Sequence, residues 1–333
     1  MKKLVCKHPK TLALIDVETS AVPEGWVQLN IARVGLCGTD YHIFLGNQPF
    51  LEYPRVMGHE VSAWVSEEYN GKDYQPGDLL ILIPYFACDD CHSCNNGKPN
   101  CCENIQVFGV HRDGAMSEKF SAPPQNLISA QGLTPDQASM VEFLAIGFHG
   151  VARTPVASGA NALIVGAGPI GLAAALFARL RGCNVTMLDV SAKKAALLES
   201  RFGLHVVHPS NQQTVHALID RCDHVFDATG NIDAMNSGLK FVSHGGTYTL
   251  LSIVQQELRF PDPEFHKKEV TLFASRNANR SDFESVIKAI KDGEIDTDAI
   301  ATHRTNLENA AVDINGWAGS RDDVIKAIIE VTA

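Results

Sequence analysis

Apolar and polar positions follow two different patterns along the chain, and the first pattern extends to about residue 147. In this part, short apolar runs such as Val27–Val34 and Leu79–Ile83 are separated by turns rich in glycine, proline and aspartate. Short apolar runs between turn residues are typical of β-strands. The pattern therefore predicts an all-β or mixed body that carries long functional loops.

The pattern changes near Gly159, where apolar runs begin to alternate with residues at helical spacing. The predicted strands are Ala162–Val165, Val185–Leu188, His224–Asp227 and Tyr248–Ile253, and the predicted helices are Ile170–Leu180 and Ala192–Phe202. Because strands that alternate with helices form βαβ units, this part of the chain predicts a parallel sheet. We place this domain at residues 148–282.

The remaining residues combine one helical pattern, Asp282–Lys291, with one strand-like run, Ala327–Val331. We expect this tail to return to the first domain, which then comprises residues 1–147 and 283–333. A chain of 333 residues is long enough for two domains with separate cores.

Composition and charge argue against several classes of function. The chain is 45% hydrophobic and carries a net charge of −10, with no basic stripe, so no nucleic-acid partner is expected. No run approaches the roughly 18 uncharged apolar residues of a membrane helix, so no membrane association is expected. The basic start at Met1–Leu4 is followed by polar residues that interrupt any signal-peptide core. The expected location is the cytoplasm.

A glycine-rich segment fits the dinucleotide-binding pattern G-x-G-x-x-G. Its glycines are Gly166, Gly168 and Gly171, with Pro169 and Ile170 between the last two. The segment follows a predicted buried strand and opens a predicted helix, which is the context that the pattern requires. The glycines allow a tight turn, an approach to a pyrophosphate and helix packing, and the helix N-terminus faces the phosphates. The alternative is a glycine-rich turn in another doubly wound protein.

Asp189 follows the next predicted strand, about 20 residues further along the chain. A carboxylate at this position accepts hydrogen bonds from the adenosine ribose and repels a 2′-phosphate, which favours NAD over NADP. Ala228 and Thr229, directly after the strand His224–Asp227, also belong to the predicted cofactor site, together with Leu251 in the strand that follows.

Four of the nine cysteines form the pattern C-x2-C-x2-C-x7-C, and these are Cys88, Cys91, Cys94 and Cys102. Four thiolates within fifteen residues can converge on one tetrahedral ion, and a closed shell of four sulfurs is typical of structural zinc. The alternative is four incidental cysteines in one loop. Spacing alone also leaves open whether Cys101 or Cys102 is the fourth ligand.

Three further segments contain side chains that bind metals, namely Cys37, the pair His59 and Glu60, and Glu142. Each has an ordinary explanation when it is considered alone. A single cysteine is usually a small buried apolar residue, and a His-Glu pair is usually a surface or core pair. Spacing alone therefore leaves a shared metal site undecided.

The order of these segments, together with the cysteine run and the glycine pattern, resembles that of the zinc-containing medium-chain dehydrogenases over nearly the whole chain. The sequence is most similar to the polyol and sugar-acid branch. The resemblance implies an α/β fold, with a GroES-like, mostly β catalytic domain and a Rossmann, doubly wound NAD-binding domain. It also implies a catalytic and a structural zinc ion, and a homodimer or homotetramer. An apolar edge strand such as Tyr248–Ile253 would let a sheet continue between subunits.

Carried over residue by residue, the resemblance implies a catalytic zinc ion bound by Cys37, His59 and Glu142, with Glu60 near the metal directly or through water. The alcohol-specific branch has a cysteine as its third ligand, so Glu142 favours the polyol branch. An open position on the zinc would bind the substrate hydroxyl and lower its pKa, and the substrate carbon would then pass a hydride to the nicotinamide.

The resemblance also implies that the Thr39 hydroxyl begins a proton relay. His42 is well placed by spacing to end that relay at the solvent, because an imidazole exchanges protons near neutral pH. The alternative for His42 is an ordinary surface histidine.

Longer segments at residues 46–50, 109–114, 262–269 and 275–277 resemble dehydrogenases of hexonates such as L-galactonate or L-gulonate. The resemblance implies oxidation of the sugar acid at C5 to a keto-uronate. Because such a substrate carries a carboxylate, a pocket rich in hydrogen-bond donors is expected. The candidates for that pocket are Asn47, His111, Arg112 and His266, whereas Arg276 is expected near the nicotinamide.

Two alternatives stay open at this point. The first is a polyol or polyol-phosphate dehydrogenase on the same scaffold. The second is an NAD-binding sensor or regulator with little turnover, as a starvation-sensing relative suggests. Loss of Cys37, His59 or Glu142 would have favoured the second alternative, and the sequence retains all of them.

Overall fold

The computed structural model describes residues 1–48, 51–319 and 323–332. The chain divides into two compact units, Met1–Glu142 with Asn279–Ala333, and Phe143–Ala278. The sequence predicted boundaries after residue 147 and before residue 283. Each predicted boundary lies a few residues later in the chain than the boundary in the structure. Within the described ranges, no helix is long and apolar enough to cross a membrane.

The elements change from short strands to strand–helix pairs along the chain. The strands are β1 Lys2–His8, β2 Thr11–Asp16, β3 Val27–Gly35, β4 Arg55–Val56, β5 Glu60–Val65, β6 Leu79–Leu82, β7 Tyr85–Phe86, β8 Gln106–Val107, β9 Lys119–Ala122, β10 Leu127–Ser129, β11 Asn161–Val165, β12 Asn184–Leu188, β13 His205–Val207, β14 Cys222–Asp227, β15 Val242–Leu250, β16 Thr271–Ala274, β17 Ala301–Asn306 and β18 Lys326–Glu330. The helices are α1 Gly38–Leu45, α2 His92–Asn95, α3 Pro135–Ser139, α4 Val141–Ala152, α5 Pro169–Leu180, α6 Ala192–Phe202, α7 Gln212–Leu218, α8 Ile232–Ser237, α9 Asp262–Lys267, α10 Arg280–Lys291, α11 Thr297–Ile300 and α12 Ala310–Gly319.

The first unit is mostly β, as the sequence predicted. Its largest sheet has the order β10-β6-β5-β3-β18-β17, and β9 also pairs with β3. Smaller sheets are formed by β2-β1-β4 and by β7-β8. Strand β18 pairs antiparallel with β3, with Ile329 opposite Val34, so the tail returns to the first unit as expected.

Strand β3 shows how the sheet leads the chain toward the candidate site. Leu29 and Ile31 are buried at alternate positions, as expected for a strand with one face on the core. The register then shifts between Ile31 and Arg33, and a bulge of this kind moves the alternation by one residue. Val34 is therefore buried in the core, and the strand ends at Gly35, two residues before Cys37.

The second unit contains one parallel sheet with the order β13-β12-β11-β14-β15-β16. This is the 3-2-1-4-5-6 order of a doubly wound dinucleotide-binding fold, in which the chain reverses direction across the sheet between β11 and β14. The predicted elements over Ala162–Val165, Ile170–Leu180 and Ala192–Phe202 correspond to β11, α5 and α6.

The prediction for Tyr248–Ile253 was partly wrong. Strand β15 ends at Leu250, and it lies between β14 and β16 rather than at an edge of the sheet. The edge strands are β13 and β16. The sequence pattern did not reveal β16, because its short run is largely exposed. Because β15 is paired with a strand on each side, it cannot continue the sheet into a second subunit. The side chain of Tyr248 is fully buried in the hydrophobic core.

Candidate active site and cofactor site

Cys37 is held in place by the start of helix α1. The carboxylate of Asp40 accepts a hydrogen bond from the Cys37 backbone N–H at 2.9 Å and from the Gly58 N–H at 3.2 Å. This return contact from the third helical position is the backbone half of a capping box. Asp40 is fully buried, and burial raises the pKa of its carboxyl group. Asp40 thereby ties the Cys37 loop to the loop that precedes His59.

Glu60 begins strand β5 directly opposite Gly35 of β3. A Cβ atom at Gly35 would lie 2.4 Å from Glu60 Oε2, so glycine leaves room for the carboxylate. Lys326 of β18 donates to Glu60 Oε2 at 2.5 Å and to the Leu36 carbonyl at 3.1 Å, and both charged side chains are fully buried. Lys326 thus fixes one oxygen of Glu60, whereas Oε1 has no hydrogen-bond partner among the described residues.

Cys37, His59 and Glu60 form a compact group, since their potential ligand atoms all lie within 4.8 Å of one another. Burial by itself would lower the pKa of His59, but Asp40, with Nδ1 and Oδ1 3.8 Å apart, and the nearby Cys37 raise it well above its usual value. Nδ1 of His59 has no hydrogen-bond partner in the described part of the chain. An orphaned buried polar atom costs about 1–3 kcal/mol, so these side chains fit a bound metal cation.

Glu142 lies in the first turn of α4 and is almost completely buried. The Tyr85 hydroxyl of β7 donates a hydrogen bond to Oε1, whereas Oε2 has no partner in the ranges that the structure covers. Burial raises the pKa of Glu142, and burial together with the charge of Glu142 raises the pKa of Tyr85. Glu142 influences the pKa of His59 but lies outside the group within 4.8 Å.

The resemblance implied Cys37, His59 and Glu142 as ligands, with Glu60 nearby. The structure groups Glu60 most tightly with Cys37 and His59, and it holds Glu142 by a separate hydrogen bond. Cys37, His59 and Glu60 are therefore available to one cation, whereas the role of Glu142 as a ligand stays a prediction. The two carboxylates differ in the partner that holds them.

The two predicted relay residues lie on helix α1, which follows Cys37 directly. Thr39 is half-buried, and His42 is exposed. Residues three apart on a helix lie on the same face, so the spacing suits a relay that ends at the solvent. Their roles stay a prediction.

The cysteine run forms a second compact group around α2 and the short 3-10 turn at Pro99–Cys101. The four sulfurs lie within 4.8 Å of one another, with 3.5 Å between Cys91 and Cys94 and 3.4 Å between Cys88 and Cys102. Zn–S bonds of about 2.3 Å in a tetrahedron place the sulfurs roughly 3.8 Å apart. The group contains Cys102 rather than Cys101, so the geometry favours Cys102 where spacing left both open.

The surroundings of Cys88 also suit a metal ligand, whereas burial raises the pKa of Cys94 to about 12. Hydrogen bonds from the Asp90 backbone and from Cys102 lower the pKa of Cys88 to about 6. A lowered pKa favours the thiolate, which is the form that binds metals. Asp89 and Gly97 adopt positive φ angles of 58° and 69°, which provide the sharp turns between the ligands.

Gly166 and Gly168 lie between β11 and α5, and Gly171 lies in the first turn of α5, as predicted. Gly166 has a φ of 100°, and a Cβ there would lie 3.0 Å from the Ala228 backbone. A Cβ at Gly171 would lie 1.9 Å from the Gly166 carbonyl oxygen, so a side chain would separate helix and strand. At Gly168, the N-cap of α5, a Cβ would meet no described atom within 4 Å. The helix N-terminus, which includes Pro169 and Ile170, therefore faces open space suitable for a pyrophosphate.

Asp189 directly follows β12 and is held by the fingerprint loop. Its carboxylate accepts hydrogen bonds from the Ala167 N–H at 2.6 Å and from the Ser191 N–H at 2.7 Å. The side chain remains partly exposed at the carboxyl end of the strand. This is the position from which an acid can contact the adenosine ribose.

The other predicted cofactor residues follow neighbouring parallel strands at the same edge of the sheet. Ala228 and Thr229 follow β14, Leu251 follows β15, and Arg276 lies two residues after β16. Asp227 fixes the turn that follows β14, because its Oδ1 accepts hydrogen bonds from the N–H and the hydroxyl of Thr229. Ligands of doubly wound sheets bind outside the carboxyl ends of the strands, so these positions suit a dinucleotide.

Each candidate for the substrate carboxylate has its own local surroundings. Arg112 lies over the Phe86 ring at 4.3 Å, and His111 accepts a hydrogen bond from the Val107 N–H at 3.1 Å. His266 is exposed on α9 of the second unit, and Asn47 is exposed just after α1. Residues 49–50, which belong to the first hexonate-like segment, lie outside the described residues.

The segment at residues 109–114 nevertheless shapes the site through its backbone. A Cβ at Gly114 would lie 2.3 Å from the Gly58 carbonyl oxygen, and the Ala115 N–H donates to that oxygen at 3.0 Å. The segment therefore supports the turn that precedes His59.

Sequence reasoning missed Tyr85 and Lys326. Lys326 had a detectable signal, because it is a charged residue that opens the otherwise apolar run of β18. Tyr85 had no such signal, since a single aromatic residue after a proline is ordinary in a short strand.

Comparisons with known proteins agree with this arrangement. A family model described as an alcohol dehydrogenase GroES-like domain matches residues 23–132, and one described as a zinc-binding dehydrogenase matches residues 169–292. The L-galactonate-5-dehydrogenase of Escherichia coli (strain K12) is 39% identical over 335 residues, covering 99% of this chain and 98% of that protein. The starvation-sensing protein RspB of the same organism is 28% identical, covering 93% and 94% of the two chains.

A solved structure extends the likeness to the whole fold. The crystal structure of 2R,3R-butanediol dehydrogenase from Bacillus subtilis matches with a TM-score of 0.90 and 23% identity, and it covers 99% of each chain. At this level of identity the likeness shows the fold. The chain therefore belongs to the zinc-type medium-chain alcohol dehydrogenases and is an NAD-dependent oxidoreductase of that family.

Proposed function

We propose that this enzyme oxidises a secondary hydroxyl of a sugar acid of the L-galactonate or L-gulonate type, at C5, and transfers the hydride to NAD to give a keto-uronate. The observation that carries the chemistry is the compact group of Cys37, His59 and Glu60, in which Nδ1 of His59 and Oε1 of Glu60 have no hydrogen-bond partner among the described residues. The sugar-acid substrate class is supported by the 39% identity to a protein named L-galactonate-5-dehydrogenase.

Cys37, His59 and the two carboxylates, Glu60 and Glu142, would hold the catalytic zinc ion. Such an ion supplies Lewis acidity that lowers the pKa of the substrate hydroxyl. Lys326 fixes one oxygen of Glu60, and the charge of Asp40 lies 3.8 Å from Nδ1 of His59, so the surroundings of these two side chains are arranged before substrate arrives. Cys88, Cys91, Cys94 and Cys102 would hold the structural zinc ion.

The hydroxyl of Thr39 is proposed to accept the proton that leaves the substrate hydroxyl. The proton would pass along α1 to the imidazole of His42, which is exposed and can release it to the solvent. The N–H groups at the start of α5 would bind the pyrophosphate of the cofactor, because they face open space at Gly168.

Asp189 is proposed to select NAD over NADP, since its partly exposed carboxylate would accept hydrogen bonds from the ribose hydroxyls and repel a 2′-phosphate. Asp189→Ala should weaken NAD binding about tenfold and reduce the preference for NAD over NADP. Fluorescence titration of both cofactors measures this. Asp223→Ala is a control, because Asp223 lies at the opposite, amino-terminal part of β14 and contacts the Asn161 N–H. An unchanged preference would assign the ribose contact to another residue.

The substrate proposal is tested by following NADH formation across a panel of hexonates, hexitols and hexitol phosphates, with zinc present and after chelation. Zinc-dependent oxidation of L-galactonate or L-gulonate is the expected result. Activity on hexitols or their phosphates alone would retain the chemistry and reject the sugar acid. Absence of turnover across the panel, with NAD still bound, would favour the sensor alternative.

We also propose that the enzyme is a homodimer or homotetramer. Strand β16 is one edge of the parallel sheet, and Leu272 on this strand is 39% exposed. A sheet edge offers backbone N–H and C=O groups to a second copy of the same strand. Sedimentation that gives the mass of a monomer would contradict the proposal.

A further inference from the structure

Tyr85 and Lys326 act on the two carboxylates in parallel ways. Lys326 holds Oε2 of Glu60, and the Tyr85 hydroxyl holds Oε1 of Glu142. In each carboxylate the second oxygen is buried and has no hydrogen-bond partner within the described ranges. Each carboxylate therefore has one anchored oxygen and one available oxygen, although one anchor is a cation and the other a neutral hydroxyl.

Tyr85 is itself firmly placed. The amide of Asn126 donates to the Tyr85 carbonyl at 2.9 Å and to the Ile83 carbonyl at 2.8 Å, which fixes the backbone on both sides of Pro84. The ring packs edge-on against Phe283, with 6.4 Å between the ring centroids, and Phe283 is fully buried. The hydroxyl is therefore an anchor with little freedom to follow a moving carboxylate.

The hydrogen bond also has a fixed direction. Tyrosine hydroxyls carry their proton throughout the neutral range, and a carboxylate can only accept. The bond thus occupies one of the two lone pairs of Oε1 and fixes the position of that oxygen, which limits its approach to a cation. A carboxylate without such an anchor can bind a metal through both oxygens.

We propose that Tyr85 is a positioning residue that restrains Glu142 to act toward the catalytic metal through Oε2 alone. The proposal rests on the metal site of the proposed function. It explains why Glu142 lies outside the group of Cys37, His59 and Glu60 although its charge affects His59. Partners that orient metal ligands typically change metal affinity about 10–100-fold when they are removed.

The test is Tyr85→Phe, which removes the hydroxyl and keeps the ring contact with Phe283. We expect one of the two zinc ions per chain to be released to a chelator at least about tenfold faster. Cobalt substituted at that site should show a changed visible spectrum, because the coordination by Glu142 changes. The matched control is Tyr74→Phe, whose lost hydroxyl donates to the carbonyls of Pro124 and Leu127, and which should leave both zinc ions in place.

A double-mutant cycle separates positioning from a structural role. If Tyr85 acts through Glu142, then Tyr85→Phe should have no further effect on zinc release in a Glu142→Ala background. Additive effects of the two substitutions on zinc release would overturn the role of Tyr85, and so would a Tyr85→Phe protein that holds two zinc ions and releases them at the wild-type rate. Neither result would affect the proposed catalytic site. A wild-type chain that binds zinc only at the four cysteines would overturn the proposed catalytic site as well.

Discussion

Cys88, Cys91, Cys94 and Cys102 come from fifteen consecutive residues, whereas the group of Cys37, His59, Glu60 and Glu142 draws on segments spread over more than a hundred residues. The cysteine group needs only loop backbone between its ligands, with positive φ angles at Asp89 and Gly97. The second group needs a helix N-terminus, a strand start and another helix, all brought together by the sheet of the first unit.

This difference separates two ways of making a metal site. Closing a short loop has a small entropic cost, so the cysteine group can form locally and contribute to stability when a metal binds. The dispersed group buries charges that must be compensated by remote partners, which here are Asp40, Lys326 and Tyr85. Buried charges are tolerated only when they are paired or bind metal. The dispersed site therefore depends on the whole unit, and the cysteine site does not.

The largest expected effect is on catalysis, because only the dispersed group serves the reaction. Cys37→Ser should lower kcat about a thousandfold, since several kcal/mol of transition-state stabilisation are lost with the metal. NAD binding should persist, and the zinc content should fall from two ions per chain to one. Steady-state assay, cofactor titration and metal analysis measure these quantities. Retained turnover would contradict the assignment of Cys37 as a ligand.

How far the sequence could predict each site follows from the same difference. The cysteine run and the glycines at Gly166–Gly171 are contiguous, so their spacing contains most of the geometry. The contact between Lys326 and Glu60 joins residues 266 positions apart, and no local pattern reports such a pairing. The wrong prediction that Tyr248–Ile253 is an edge strand has a related cause. The exposed run of β16 gave no sign that this strand pairs with β15.

The second prediction concerns a remote partner of the dispersed group. Lys326→Met should lower the free energy of unfolding by about 3–5 kcal/mol, because it leaves the Glu60 carboxylate buried without its cation. Denaturant unfolding measures this change. The double variant Lys326→Met with Glu60→Gln should recover part of the stability, since a neutral amide needs no counterion. No recovery would mean that Lys326 acts through the Leu36 carbonyl rather than through the charge of Glu60.

The third prediction tests the independence of the cysteine group. Cys102→Ser should remove one zinc ion per chain and lower the free energy of unfolding by about 2–3 kcal/mol, whereas turnover per remaining zinc is preserved. The adjacent Cys101→Ser is the matched control and should keep both ions, because Cys101 lies outside the group of sulfurs. If loss of Cys102 also releases the catalytic zinc, the two sites are coupled and the proposed contrast fails.

The smallest expected effect concerns an ion-pair network that joins elements of the first unit. Asp136 of α3 contacts Arg33 of β3 at 2.8 Å and Arg304 of β17 at 2.6 Å. Burial by itself would raise the pKa of Asp136, but the two arginines outweigh it and lower the pKa. A lowered folded-state pKa gives stability that is fully present above the unfolded value of about 3.9 and is lost as the pH falls through the folded value.

Asp136→Asn should therefore destabilise the protein by about 1 kcal/mol at pH 7, since the pairs are partly exposed and solvent screens them. The difference in the free energy of unfolding between this variant and wild type should shrink as the pH falls from about 4 through the lowered folded-state pKa, because the wild-type carboxyl is then protonated as well. Unfolding of both proteins in denaturant at several pH values measures this convergence, with Asp113→Asn as a control on a more exposed pair with Arg55. Because Arg33 lies two residues before Gly35, zinc release from the dispersed site should also quicken in Asp136→Asn, and release from the four cysteines should not. Release from the dispersed site at the wild-type rate would show that the dispersed group tolerates a weaker sheet, and its dependence on the whole unit would then be refuted.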